Sequence, residues 1–379
     1  MSALRIALLT YRGNPRCGGQ GVYVRHLSRE LVALGHHVEV IAGQPYPELD
    51  PGVKLTKLPG LDLFAEPNPF RRAKISELKT LPDWLEYAAM RRGGFGEPLA
   101  FSLRAAWYLR RRDFDVVHDN QGLGYGLLGT GLPVLATVHH PIAIDRELKL
   151  AAGQEGVERW YGFVGMQHRV ARRLPKILTV SEASRDSIRE HMGVNAEVVP
   201  LAADTRVFKP RPEIAKVPGR IVTTASADEP LKGLEHLLTA LDSLPDAELV
   251  VVGKRKPAGP RVRFVSGLTD TELAELIASA EVVCVPSLYE GFSLPAAEAM
   301  ACGTALVTTS AGAIPEVAGD AAVVVPPADP DALAKELLRV LTDGDLRRRL
   351  GAAGLARTAT MSWEATARET VRHYRDLMC

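Results

Sequence analysis

The chain has 379 residues, 46% of them hydrophobic and 24% charged, with a formal net charge of +1. At roughly 100–200 residues per domain this is too long for one ordinary core, so two domains are expected. The composition is that of a soluble globular protein, and the balanced charge gives no reason to expect a nucleic-acid partner.

No run of about 18 apolar residues occurs, so no transmembrane helix is expected. The amino terminus enters a strand directly, without the apolar core and cleavage site of a signal peptide. Cys17, Cys284, Cys302 and Cys379 form neither a CxxC pair nor a metal-ligand spacing, which fits reduced thiols and a cytoplasmic location. Residues 1–208 hold 27 Lys+Arg against 22 Asp+Glu, a charge of +5, and the remainder carries −4. That asymmetry permits an anionic acceptor, or peripheral contact with the inner membrane face, on the first half.

Leu4–Thr10 reads as the opening strand. A loop with Gly18, Gly19, Gln20 and Gly21 follows, then a helix from about Val22 to Leu34 with Tyr23, Leu27, Leu31 and Leu34 on one face. His37–Ile41 is the second strand. This is a Rossmann-type start, but the loop is Gly-Gly-x-Gly and not G-x-G-x-x-G, so no dinucleotide cofactor is inferred. Glycines there let backbone N–H groups approach a phosphate, or simply make a tight turn. Residues 44–100 look less regular; the basic stretch Phe70–Ile75 reads as a solvated face or as a contact for acceptor or headgroups.

Asp115–His118 and Pro133–His140 are short strands that end in histidine. At the carboxyl edge of a parallel sheet, His118, His139 and His140, with Asp119 and Asn120, are expected at the same ligand cleft as the glycine loop, whose Gln20 is a further acceptor-side candidate. Asp113-Phe114-Asp115 mimics a metal-binding triplet but enters its strand at the opposite edge, so no metal is inferred. Ile177–Ser181 is a further strand, with a helix after it, and Leu201–Pro218 is the linker.

The pattern then restarts: strand Arg220–Ala225, a loop ending in Lys232-Gly233, helix Leu234–Leu244, strands Glu248–Gly253 and Val262–Ser266, and a capping box at Thr269–Glu272. The apolar run Val282–Val285 leads into a loop carrying Glu290. A helix follows, with Pro295 at its start, Glu298 about one turn inside and Gly303 at its end. A helix amino terminus suits a diphosphate. A carboxylate accepts two hydrogen bonds from a vicinal diol, so Glu290 and Glu298 together suit both sugars of a nucleotide-diphospho-sugar. A solvated helix charge and a loop charge are the plain alternatives. Lys232, at a strand-to-helix turn, suits a diphosphate leaving group. Helices fill residues about 330–378.

Two Rossmann-like halves, the Gly-Gly loop, Lys232-Gly233, Thr137-Val138-His139, Val199-Pro200 leading to Asp204 and Phe208, and Pro286-Ser287 before an E-x7-E pair resemble the retaining glycosyltransferases of family 4. The resemblance covers nearly the whole chain. It implies an α/β protein of two Rossmann-like domains facing a cleft, the GT-B architecture. Residues 1–208 would be the acceptor side and 209–360 the donor domain, with a last helix, about 361–379, packing back on the first domain.

By the same resemblance, Glu290 with Gly291, Phe292 and Ser293 would hold the donor hexose, and Glu298 the ribose. Lys232 and the Gly18-Gly19 turn would hold the diphosphate, Gly267 and Leu268 would flank the base, and His139 would lie near the transferred sugar. The activity would be retaining transfer of a hexose or an N-acetylhexosamine from a nucleotide sugar of UDP or GDP type to a small-molecule or lipid-linked acceptor, with neither metal nor cofactor. One departure is visible. The family commonly has Arg five residues before this Lys, where Ala227 stands here; either Arg12 or Arg16 replaces that cation or donor binding is weakened. A sugar-nucleotide epimerase on the same architecture and a catalytically silent sugar-nucleotide binder are the alternatives.

Overall fold

Two series of strands alternating with helices become two separate parallel sheets. The structure, a computed structural model, describes residues 2–14, 19–65, 70–151, 153–226, 229–257 and 261–378. The chain divides into two compact units: Met1–Val180, Arg185–Val199 and Glu364–Cys379 in the first, Ser181–Ser184 and Pro200–Trp363 in the second.

The first sheet contains β1 (Arg5–Thr10), β2 (His37–Ala42), β3 (Lys54–Lys57), β4 (Val116–Asn120), β5 (Val134–Thr137), β6 (Lys176–Thr179) and β7 (Glu197–Val198), in the order β3-β2-β1-β4-β5-β6-β7. The second contains β8 (Arg220–Thr223), β9 (Glu248–Val252), β10 (Val262–Val265), β11 (Val282–Val285), β12 (Ala305–Thr309) and β13 (Val323–Val325), in the order β10-β9-β8-β11-β12-β13. Every pairing is parallel. Strands covered on both faces need continuous apolar runs; Ile6, Leu8 and Leu9 in β1 and Leu249, Val250 and Val251 in β9 are all fully buried.

The helices are α1 (Gly19–Ala33), α2 (Leu81–Arg91), α3 (Glu97–Leu109), α4 (Ile142–Ala151), α5 (Val157–Trp160), α6 (Val164–Ala171), α7 (Glu182–Met192), α8 (Leu234–Leu241), α9 (Asp270–Ser279), α10 (Leu294–Ala301), α11 (Ile314–Ala318), α12 (Pro330–Thr342), α13 (Gly344–Thr358) and α14 (Trp363–Met378). Among the described residues no helix is long and apolar enough to cross a membrane.

Each sheet reverses its strand order once, between β1 and β4 and between β8 and β11. Loops leaving the carboxyl ends of strands diverge at such a point and open a crevice for ligands. In the second unit these are the loops carrying Lys232 and Glu290.

Three expectations are corrected. First, α1 begins at Gly19 and not near Val22. Gly21 lies inside its first turn, where an added Cβ would stand 2.1 Å from the Asn14 carbonyl oxygen. That glycine serves close packing and not an open loop. Second, β4 runs on to Asn120, so His118 sits mid-strand opposite Leu8 and Leu135. Third, the irregular region 44–100 contains α2 and the first turn of α3, each helix with a proline in its first turn, Pro82 and Pro98, where the missing N–H costs nothing.

Candidate functional site

In the second unit, a 3₁₀ turn at Pro230–Lys232 ends in Gly233, which is left-handed at φ +63°. A Cβ on Gly233 would stand 2.1 Å from the Pro286 carbonyl oxygen, so only glycine lets this turn lie against the loop after β11. The Leu288 N–H donates to the Leu231 carbonyl at 2.7 Å and locks the two loops together. That docking brings Lys232 Nζ within 2.9 Å of Glu290 Oε1, which also accepts from Ser287 Oγ at 2.7 Å. Glu290 is 8% exposed. Its own carbonyl accepts from the Ala313 N–H at 2.9 Å, and Gly312, at φ +56°, would carry a Cβ 2.3 Å from that oxygen. The carboxylate is therefore set by loops from three strands, β8, β11 and β12.

Glu290 is followed by the start of α10. Gly291 offers its carbonyl to Ser181 Oγ at 2.7 Å and Ser184 Oγ at 3.1 Å, which fixes its peptide plane. Phe292 is buried. Ser293 precedes the helix at φ +80°, a strained value for a residue other than glycine, of the kind that gathers at ligand sites. Its hydroxyl is buried and has no hydrogen-bond partner among the described residues. A buried hydroxyl of this kind, beside a strained backbone, makes the start of α10 a candidate binding position.

Glu298, one turn into α10, keeps part of its surface open, yet its carboxyl lies deep enough that burial, with Asp270 adding to it, pushes its pKa up to about 8. Gly267, at φ +71° between β10 and α9, has open space beside it, and Leu268 is half-buried. Ala227 lies outside the described residues. Its neighbour Ser226 is buried and accepts from the N–H groups of Lys254 at 3.0 Å and Arg255 at 3.5 Å. Two exposed cations that follow β9 are thereby anchored beside the β8 loop, a placement that single-residue spacing did not reveal.

In the first unit, Arg16 and Gly18 lie outside the described residues. Gly19 opens α1 with nothing within 4 Å of an added Cβ. The carboxyl end of β4 supplies Asn120, whose amide nitrogen donates to the Gln20 carbonyl at 3.1 Å. Its oxygen, 2.7 Å from His139 Nε2, therefore accepts, which assigns the Nε2–H tautomer to His139. Burial, reinforced by His140, pushes the His139 pKa down to about 3, so the ring is neutral.

Gln121, 2% exposed, is a site residue that sequence reasoning missed. Its oxygen accepts from the His139 N–H at 2.6 Å and its nitrogen donates to the His140 carbonyl at 2.8 Å, a clamp on the backbone of both histidines. No motif announces a glutamine of this kind. His140 itself meets Asp145 at 3.3 Å.

His118 is corrected from an acceptor ligand to a buried support. It is fully buried, with Nδ1 2.7 Å from Tyr374 Oη of α14 and Nε2 2.7 Å from Thr137 Oγ1. Thr137 Oγ1 also meets Tyr23 Oη at 3.0 Å, and the Tyr23 ring stands edge-on to His139 at 4.8 Å. Arg12, suggested as a substitute phosphate cation, is engaged with the buried Glu97 carboxylate at 2.8 Å. Asp115 of the metal-like triplet pairs with Arg5 at 3.0 Å, and among the described residues no group of three or more His, Cys, Asp or Glu is placed to hold a metal ion.

Two parallel-sheet α/β units, each wound about a switch point, define the class as GT-B glycosyltransferases. Residues 17–207 match the profile described as Glycosyltransferase Family 4, and residues 208–357 that described as Glycosyl transferases group 1. The chain belongs to glycosyltransferase family 4 and is a glycosyltransferase. It is 53% identical to an MMP alpha-(1->4)-mannosyltransferase of Mycolicibacterium hassiacum, over 98% of each chain. Among solved structures it is similar to a sucrose-phosphate synthase from Thermosynechococcus elongatus, with a TM-score of 0.77 and 23% identity over 99% of each chain. It is also similar to Alr3699/HepE of Anabaena in complex with UDP-glucose, with a TM-score of 0.72 and 13% identity over 98% of this chain and 100% of that one.

Proposed function

We propose that this glycosyltransferase is a retaining α-mannosyltransferase that moves mannose from a nucleotide-diphospho-mannose of GDP or UDP type to a carbohydrate hydroxyl, without a metal or other cofactor. The observation that carries the sugar assignment is the 53% identity, along nearly the full length of both chains, to a protein named for α(1→4) mannosyl transfer. The chemistry is supported by the Lys232–Glu290–Ser287 cluster at the β8/β11 switch point.

Glu290 grips hydroxyls of the donor hexose, helped by the backbone of Gly291 and Phe292 and by the orphan hydroxyl of Ser293. Glu298 accepts from the ribose diol, and Gly267 and Leu268 flank the base. Lys232 neutralises the diphosphate, and Lys254 and Arg255, tied to Ser226, supply the second cation in place of the arginine missing at 227. Fixed cations at a leaving group need no reorganisation as charge develops. The acceptor oxygen attacks the anomeric carbon on the face the diphosphate leaves. The carbon–phosphate-oxygen bond breaks, and the departing phosphate oxygen takes the acceptor proton, so no protein base is needed. His139, neutral and held by Asn120 and Gln121, is assigned to the transferred sugar, with Gln20 and His140 on the acceptor side.

The test is incubation with GDP-mannose, UDP-mannose and UDP-glucose, a 4-hydroxyl mannoside acceptor, and excess chelator. An α-linked product by NMR, with nucleoside diphosphate released in equal amount, is expected from a mannosyl donor. A new sugar nucleotide formed without acceptor would instead indicate an epimerase. Binding without turnover of any donor would leave only a sugar-nucleotide binder.

A further inference from the structure

Among the described residues β3 pairs only with β2, so it stands at an edge of the first sheet. A cavity of about 750 Å³ lies there, within the range of small-ligand sites. One wall is a single face of α3 and the turn after it: Arg104, Trp107, Tyr108, Arg111 and Arg112 recur at helical spacing. The rest of the lining comes from residues 58–61, from Arg71 and from the segment that leads into α2, Lys79 included.

The acids of the lining are already matched. Glu77 pairs with Arg71 at 3.0 Å, and Asp83 with Arg104 at 2.6 Å. Lys79, Arg111 and Arg112 have no ion pair among the described residues; the Arg112 guanidinium lies over the Tyr108 ring at 5.1 Å. Trp107 keeps 64% of its surface open on the same wall. The cavity therefore combines a surplus of three cations, an exposed aromatic face and polar groups able to meet hydroxyls. Arginine forks match phosphate oxygens pairwise, and an amphipathic ring suits the face of a tryptophan.

We propose that this cavity is a second ligand site for a sugar that carries a phosphate group, either free or as a lipid headgroup. Lys79, Arg111 and Arg112 hold the phosphate and Trp107 the ring. The site is separate from the one built around His139. β3, which leads into the lining residues 58–61, and β5, which leads to His139, are four strand steps apart, roughly 19 Å at about 4.8 Å per step, and none of the residues that hold His139 lines the cavity.

The test titrates the full chain, saturated with nucleoside diphosphate to fill the donor site, with mannose 6-phosphate, inorganic phosphate and mannose by calorimetry. A parallel flotation assay uses phosphatidylcholine vesicles with and without phosphatidylinositol. Mannose 6-phosphate should bind at least tenfold more tightly than either part alone. The paired change Arg111→Glu and Arg112→Glu should abolish it, and Trp107→Ala should weaken it, while the thermal shift by nucleoside diphosphate stays unchanged and so reports an intact fold. Flotation with phosphatidylinositol alone, lost in the arginine variant, assigns the same site to a lipid headgroup. The proposal is overturned if neither probe nor vesicle binds, or if binding survives the double charge reversal.

Discussion

The pKa of Glu298 carries a prediction that belongs to one carboxyl group. Burial raises it to about 8 in the unliganded chain, so at pH 7 the group is mostly protonated. A folded-state value above the ordinary 4.5 means that this group takes stability away as pH climbs between about 4.5 and about 8. A diol that donates two hydrogen bonds favours the carboxylate and lowers the value. Nucleoside diphosphate binding should therefore release a proton near pH 7, and affinity should rise toward pH 8 and level off above it. Calorimetry in buffers of different ionisation enthalpy measures the proton, and Glu298→Gln should flatten the profile. Proton uptake on binding would remove the diol role. Glu290→Ala should behave differently, with turnover down on the order of a hundredfold and nucleoside diphosphate affinity little changed, because its partner is the hexose. At this scale the positions of Lys232, Glu290 and Glu298 around strand-to-helix turns were legible from the apolar runs, Pro295 and the glycines that flank them, while their roles rest on the proposed function. His118 misled because a histidine looks alike at a strand's end and in its middle. Gln121 was invisible, since its clamp on His139 depends on a backbone path that no local pattern encodes.

Elements impose their own constraints on the site. The β12–α11 turn reaches Glu290 only because Gly312 lets its backbone pass the Glu290 carbonyl. Gly312→Ala should cost about 1–3 kcal/mol in stability from its positive φ alone, and should lower turnover by displacing the Glu290 loop. Denaturant unfolding together with steady-state kinetics checks both; normal kinetics in a destabilised variant would separate the turn from the site. In the first unit, α14 is tied to the sheet through Tyr374 and the buried His118. Tyr374→Phe leaves His118 Nδ1 without that partner and should cost about 1–3 kcal/mol, read as a lower melting temperature. α10 was placed well from its proline and glycine signals, whereas α2 was hidden because it buries only Pro82, Asp83 and Glu86 and shows no apolar stripe.

For the whole molecule, the useful quantity is ligand-linked stability. A nucleoside diphosphate at 100 times its dissociation constant should stabilise the chain by about 2.7 kcal/mol, and the shift should be the same with magnesium and with chelator. A shift that appears only with a divalent ion would overturn the metal-free reading and return attention to the acidic residues near the donor groups. GDP against UDP in the same assay decides the base.

Local pattern by itself determined much of this protein. Apolar runs of four to six residues bounded by glycine and proline mark buried parallel strands, and two such series separated by a linker imply two doubly wound units. The order of strands, the crowding that makes Gly21, Gly233 and Gly312 glycines, the interior place of His118 and the pairing of Lys232 with Glu290 were decided only by tertiary structure. The reason is physical. Strand periodicity and helix caps are set by neighbours a few residues away, but a hydrogen bond across 58 residues, such as Lys232 to Glu290, exists only once two loops have been brought to the same edge of a sheet.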